Sequence, residues 1–208
     1  MRPRTLSGLS MALTALLMWW SCNAFIPVVG SGLAEVEGAA RGLDEVALTS
    51  LKESWKAIST NAFNLGGLIG TLLTVPIAKT LGRRAMFGLY FVGSALAIAA
   101  AFGPTLEPGV RIYMYFPIGF AVFGVFGSFT YYLPELFPTR LRGTGAGFCY
   151  NAGRIFAARG PVLVGTLARG PDPLGAAMDV LFWVSVVPLV GLLLLPFVIE
   201  TKDRPLED

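Results

Sequence analysis

The sequence predicts an all-α membrane protein with six transmembrane helices, on three observations. The 208-residue chain is 54% hydrophobic and 14% charged, where a soluble domain carries about a quarter charged residues; its mean hydropathy is +0.66. Five runs, Thr5–Ala34, Ala57–Ala78, Ala85–Leu106, Ile112–Pro134 and Val180–Ile199, contain no Asp, Glu, Lys or Arg. Each is about 20 residues or longer, enough to cross a ~30 Å hydrocarbon core as a helix. A sixth apolar stretch, Gly143–Leu167, is broken only by Arg154 and Arg159.

In chain order the spans are expected at about 8–33, 57–79, 85–106, 112–134, 143–168 and 178–199, as one transmembrane domain over 1–208. The first begins like a cleavable signal, with arginines, an apolar run and small residues. Its uncharged run continues through "FIPVVGSGLA", however, and tryptophans occupy the place of a small-residue cleavage region. A span is the better reading. The one long connection, about 35–56, contains "EVALTSLKESWKAIS", in which Val46, Leu48, Leu51 and Trp55 lie on roughly one helical side. It is expected to continue helically onto the second span.

The basic residues orient these spans. Arg2, Arg4, Lys79, Arg83, Arg84, Arg140, Arg142, Lys202 and Arg204 fall on one side. Arg41, Lys52, Lys56, Arg111 and Arg169 fall on the other, with Glu35, Glu37, Asp44, Glu45 and Glu53. The positive-inside rule puts both termini in the cytoplasm of a cell (inner) membrane protein. A pI near 9.0 therefore reflects lipid headgroups, not nucleic acid.

The chain has no histidine, which removes His-based catalysis and His metal sites. Cys22 and Cys149 are far apart inside spans and read as small core residues; no metal, cofactor or enzymatic activity is expected. Polar residues then sort the helices. The first, second, fourth and fifth spans carry Asn, Thr, Tyr and Arg, whereas the third and sixth have little beyond Tyr90, Ser94 and Ser185. Polar groups in hydrocarbon must face protein or water, so the pattern implies a three-plus-three arrangement with the third and sixth spans toward lipid. Gly66-x-x-x-Gly70 and Gly143-x-x-x-Gly147 both fit the small-xxx-small packing pattern.

Three segments near span ends carry a resemblance. "PELFPTRLRGTGAG" after the fourth span, "LGRRAMF" at Leu81–Phe87 and "IETKDRPLED" at the C-terminus resemble motifs of the major facilitator superfamily. They match the C-terminal six helices of its sugar-porter-like and organic-acid-transporter branches, in order and over essentially the whole chain. The resemblance implies one half of a major-facilitator fold and a secondary transporter working by alternating access. It also implies a cytoplasmic latch of Arg83, Arg84, Glu135, Arg140, Arg142 and Glu200, whose charge pairs form in one conformation and break in another. Val75 and Lys79 stand where the family's loop has Gly and Asp, and Ile199 and Asp203 replace the Pro and Gly of its tail. The usual family chain has twelve spans, so the resemblance implies a partner: an N-terminal six-helix half, from the same gene, a split gene or self-association.

Arg154 is the most informative residue of the spans. It lies ~16 Å along the fifth helix from Gly143, at ~1.5 Å per residue. An arginine there costs roughly 2.5–3.5 kcal/mol unless it faces a cavity or a partner. Tyr150 and Asn151 precede it by one turn on the same face, and that face reads as a site for an anionic or hydroxylated solute. Asn23, Asn61 and Asn64 are secondary candidates. The expected function is transport of a small polar organic solute, a carboxylate or a sugar-like molecule, with membrane lipid as the surroundings. No acid lies deep in the spans, Asp179 being at an outer end, so proton symport and facilitated diffusion both stay open. The alternative is a truncated or split-gene six-helix membrane protein without transport of its own.

Overall fold

The computed structural model describes residues 1–103, 105–167 and 171–204, and these are helical with no strand among them. Five helical stretches are long and apolar enough to cross a membrane: Arg2–Arg41, Glu45–Leu81, Arg83–Phe102, Pro108–Thr130 and Pro173–Phe197. The fifth expected span is present as two helices, Arg142–Ala157 and Arg159–Leu167, and does not join that set. Arg142, Arg154 and Arg159 dilute its apolar length. The end expected at 168, and Arg169 among the outer charges, lie outside the described residues.

The connection expected at 35–56 shortens to residues 42–44, and the helical continuation expected onto the second span is present in Glu45–Leu81. The first span runs on as helix to Arg41, and the second begins at Glu45. Gly42 ends the first in the left-handed region, at φ 65°, the usual glycine stop. Asp44 starts the second by accepting a hydrogen bond from the Ala47 amide at 2.8 Å, an N-cap. Lys52 and Glu35 then pair across the two helices at 2.6 Å. Trp55 is buried, and Leu48 packs on Gly38, but Val46 is 78% exposed and leaves the expected face. The first span bends at Phe25, between Arg2–Ala24 and Ile26–Arg41, where Pro27 removes an amide from the helical ladder.

The second and fourth spans meet backbone to backbone. A Cβ on Gly66 would lie 2.1 Å from the Phe116 carbonyl, one on Gly70 2.1 Å from that of Phe120, and one on Gly119 2.0 Å from that of Phe63. Thr74, buried in this seam, has its hydroxyl 2.8 Å from the Gly124 carbonyl, and the Tyr90 hydroxyl donates to the Gly70 carbonyl. The fourth span is correspondingly irregular, passing from a π turn at Gly119–Phe123 into a 3-10 stretch at Gly124–Thr130. The second small-residue pattern behaves differently. Neither Gly143 nor Gly147 has anything within 4 Å of an added Cβ, so that pair packs no helix; the fifth helix approaches its neighbours through Gly145, over Phe137, and Gly153, beside Leu16.

The expectation for the two apolar spans divides. The last span is open, with 28% of its most apolar stretch buried, whereas that of the third is 56% buried. The two pack on each other, so one apolar helix covers much of the other.

Candidate functional site

Two groups of side chains stand out, one at the end of the bundle that gathers the three motifs and one along the fifth helix.

The first is built by chain breaks that fall at the same level. The second span stops at Gly82, whose φ of 93° and ψ of 164° only glycine adopts freely. A Cβ there would also lie 2.8 Å from Glu200 Oε2. Glu200, arriving from the C-terminal tail, occupies that space and caps the third span. Its carboxylate accepts from the Arg83 amide at 2.9 Å, the Arg84 amide at 3.0 Å and the Lys202 amide at 2.9 Å. An acid on the exposed amides of a helix N-terminus is favoured by hydrogen bonding and by the helix dipole.

Arg83 then reaches Glu135 at the end of the fourth span. Its Nη2 donates to Oε1 at 2.7 Å and its Nε to Oε2 at 3.1 Å, the two-pronged geometry that suits guanidinium to carboxylate. The two side chains are 14% and 18% exposed. Nη1 donates to the Ala78 carbonyl at 3.2 Å, and the guanidinium lies 5.6 Å from the centre of the Tyr131 ring. Thr201 donates to Glu135 Oε2 at 2.6 Å, tying the tail to the same acid. Arg84 contributes through its backbone amide and through Nη2, which donates to the Val198 carbonyl at 2.8 Å.

A cavity of about 390 Å³ opens beside this network, lined by Arg4, Arg83, Glu135, Arg142, Thr201 and Arg204 among others. Of the six residues expected to form the latch, Arg83, Arg84, Glu135 and Glu200 are joined directly, and Arg142 shares the cavity. Arg140 is exposed on the 3-10 turn Thr139–Leu141 and does not line it. The last residues of the tail motif lie outside the described residues.

The second group is looser. Arg154 is exposed, with its guanidinium 5.9 Å from the centre of the Tyr150 ring. Asn151 is exposed beside it and donates to the Gly147 carbonyl at 2.9 Å. Both border a cleft of about 500 Å³ whose far wall is Trp20 of the first span, with Ile155, Ala158 and Pro161. Asn23, half-buried, lies one turn beyond Trp20 and is not part of that wall. Asn61 and Asn64 are exposed on the second span, apart from the cleft. The expected six thus divide: Arg154, Asn151 and Tyr150 share a helix face, and the three asparagines do not join them in the cleft.

No protein-family model matches the chain. Curated relatives do. The chain is 34% identical over 108 residues to the cis,cis-muconate transport protein of Acinetobacter baylyi, covering 50% of this chain and 25% of that one. It is 32% identical over 134 residues to the inner membrane metabolite transport protein YhjE of Escherichia coli, covering 61% and 30%. Against the human solute carrier family 2, facilitated glucose transporter member 9, identity is 33% over 165 residues, covering 76% and 28%. Transport proteins from bacteria and mammals thus align with a chain whose three motifs meet at one end of an all-helical bundle. The chain belongs to the major facilitator superfamily. This major-facilitator chain spans between 25% and 35% of the length of the first curated relatives it matches.

Several contacts of this family member were not foreseen. Thr201 sits in the tail motif, but only the fold reveals that its hydroxyl meets Glu135. The buried pair of Ser7 and Tyr132, 2.7 Å apart, with the Ile199 amide donating to Ser7 Oγ at 3.0 Å, joins the first span, the fourth span and the tail without any sequence signal. Trp20 was legible only as an aromatic in an apolar run.

The tail cap sets a pH dependence. Burial pushes the Glu200 carboxyl up, but hydrogen bonds from the Arg84, Arg83 and Lys202 amides and the Arg83 charge outweigh it, holding it below the ordinary range. An acid whose folded-state value is depressed contributes stability that is fully present above the unfolded value, about 4.3 for Glu. That contribution is lost as pH falls through the lowered value. The protection factors of the Arg83 and Arg84 amides, each observed exchange rate being referred to the intrinsic rate at the same pH, are therefore expected to hold from neutrality down to about pH 5 and to fall in more acid solution. In Glu200→Gln the acid-dependent step should vanish; if it persists, another group governs tail docking.

Proposed function

We propose that this chain is the C-terminal half of a secondary transporter that moves a small polar organic solute, an organic acid before a sugar, by alternating access. Arg154 is the observation that carries the choice of acid. It is a cation in the last turn of the helix Arg142–Ala157, with an amide and an aromatic ring on its own face and a tryptophan opposite. An anion entering that cleft meets a guanidinium whose charge-assisted hydrogen bonds exceed what a neutral hydroxyl offers. The muconate transport protein, whose named cargo is a carboxylate, and the probable 4-methylmuconolactone transporter of Cupriavidus pinatubonensis support this direction. The Arg83–Glu135–Glu200 network acts as the latch, on the cytoplasmic side of an inner membrane, with the chain crossing six times and both termini inside.

The second span supports a partner half. Asn61 and Asn64 are exposed next to Leu65, Leu68 and Leu72, a face in which polar groups are too many for lipid and apolar ones too many for water. A second six-helix unit, covalent or separate, covers it and closes the solute pathway.

Uptake of labelled dicarboxylates into proteoliposomes tests this reading. The chain is reconstituted in its natural coding context, with whatever six-helix half that context supplies. Arg154→Gln is expected to lower acid uptake at least about tenfold, equivalent to ~1.4 kcal/mol of lost interaction, with Arg154→Lys intermediate. Unchanged uptake in Arg154→Gln would make the arginine structural. An inactive wild type that is nonetheless stable alone would favour the non-transporting six-helix protein.

A further inference from the structure

The third and last spans, the two most apolar of the set, pack on each other. At the end of the bundle that carries the latch they leave a cleft of about 600 Å³ between them, lined by Leu81, Arg84, Ala85, Leu192, Leu195 and Glu200 among others. Its rim is charged and its floor is apolar. Arg84 and Glu200 stand at the span ends. Gly88 lies ~6 Å deeper, at ~1.5 Å per residue, where an added Cβ would be 3.3 Å from Leu195 Cδ1. Leu89, Leu193 and Phe197, which follow Gly88, Leu192 and Pro196 in the chain, are exposed; on a membrane span such side chains meet acyl chains.

The two rim charges do not neutralise each other. The Arg84 side chain donates from Nη2 to the Val198 carbonyl at 2.8 Å and forms no ion pair among the described residues. Glu200 accepts the Arg83 and Lys202 amides at Oε1 but only the Arg84 amide at Oε2. A carboxylate oxygen takes two hydrogen bonds, so Oε2 keeps one acceptor position.

We propose that this cleft is a binding site for a phospholipid with an ethanolamine head, drawn from the leaflet at this end of the bundle. The parts of the lipid match the parts of the cleft in order. Its phosphate meets the Arg84 guanidinium, the natural partner of phosphate oxygens, at a depth where pockets between spans take lipid heads. Its ammonium donates to Glu200, and one acyl chain follows Ala85, Gly88 and Leu192 inward. A choline head has no N–H for Glu200, and a glycerol head brings it no cation. Arg84 and Glu200 also hold the tail, through the Val198 carbonyl and the cap on the third span, so an occupied cleft steadies the docked tail. The lipid is thus a regulator and not the transported solute. The inference rests on the chain's lying in a membrane, and not on the cargo or on which side the latch faces.

The protein, produced in its natural coding context and purified in a maltoside detergent, is titrated with phosphatidylethanolamine, phosphatidylcholine and phosphatidylglycerol of identical acyl chains. Thermal unfolding is followed, because a ligand held by the native state raises the melting temperature as its concentration rises. Phosphatidylethanolamine is expected to act at a concentration about tenfold below the other two, or ~1.4 kcal/mol. Arg84→Gln is expected to weaken the response to phosphatidylethanolamine about tenfold, with Arg84→Lys between the two. Gly88→Leu fills the floor and should weaken it as well; it supplies the second comparison should Arg84→Gln fail to fold. No response to phosphatidylethanolamine, a response at least as strong to either other lipid, or an undiminished response in both variants overturns the proposal. Solute uptake is not part of this readout, so failure here is distinct from failure of the transport reading.

Discussion

Gly70→Val is expected to prevent the chain from reaching its native packing. A Cβ at position 70 would sit 2.1 Å from the Phe120 carbonyl oxygen and 3.0 Å from the Gly124 Cα. Both obstacles are backbone, so no rotamer change relieves the clash. The second and fourth spans must separate, and separation breaks the contact of Thr74 with the Gly124 carbonyl and that of Tyr90 with the Gly70 carbonyl. Overpacking in a close-packed interior costs about 1–3 kcal/mol when side chains can give; here the loss should exceed ~3 kcal/mol, because two main chains move together and buried carbonyls lose their donors. In detergent the variant should aggregate or elute as a broad, early peak. Gly147→Ala is the matched control. Nothing lies within 4 Å of its added methyl, and alanine is the better helix former by roughly 0.5–1 kcal/mol, so unfolding should be unchanged or slightly raised. A Gly70→Val protein as stable as the control would mean that the two spans do not touch at this seam.

The second large effect is expected for Glu135→Ala. This change leaves the Arg83 guanidinium, 14% exposed, with the Ala78 carbonyl, the Tyr131 ring and the longer-range charge of Glu200, and takes the acceptor from Thr201. Removing one member of a buried ion pair costs roughly 3–5 kcal/mol, much of it from stranding the other charge. Both side chains keep some contact with solvent, so ~2–3 kcal/mol is expected after screening. A double-mutant cycle separates the pair from its surroundings. Arg83→Gln together with Glu135→Gln should be markedly less destabilising than the sum of the single changes. Additive losses would show that the two residues act independently, and the latch would then lose its central bond.

Much of this was legible because it depends on local chemistry. The absence of charge over five runs requires helices in hydrocarbon, since only an internally bonded backbone survives there. The three motifs are contiguous stretches, and Arg83, Glu135 and Glu200 stood out within them. The length of the helices around 35–56 was less legible, because Glu, Lys and Asp make a helix water-facing without stopping it. The cleft was legible only in part: Tyr150, Asn151 and Arg154 are one turn apart on one helix, whereas Trp20 comes from another span. Arg140 and Arg142 are two residues apart in one motif, yet one is exposed and the other lines the cavity.

Composition and spacing by themselves determined that the chain is helical, apolar and built of membrane-length segments, and they marked which residues carry charge at the ends. Tertiary structure decided which of those residues meet. Gly66-x-x-x-Gly70 and Gly143-x-x-x-Gly147 are the same word in the sequence, yet the first is a backbone seam and the second has open space beside it. The physical reason is that a glycine pattern only permits close approach. Whether a neighbouring helix takes the permission depends on the whole packing, in which the Phe116 and Phe120 carbonyls of the fourth span lie against the first pair and no described residue comes to the second.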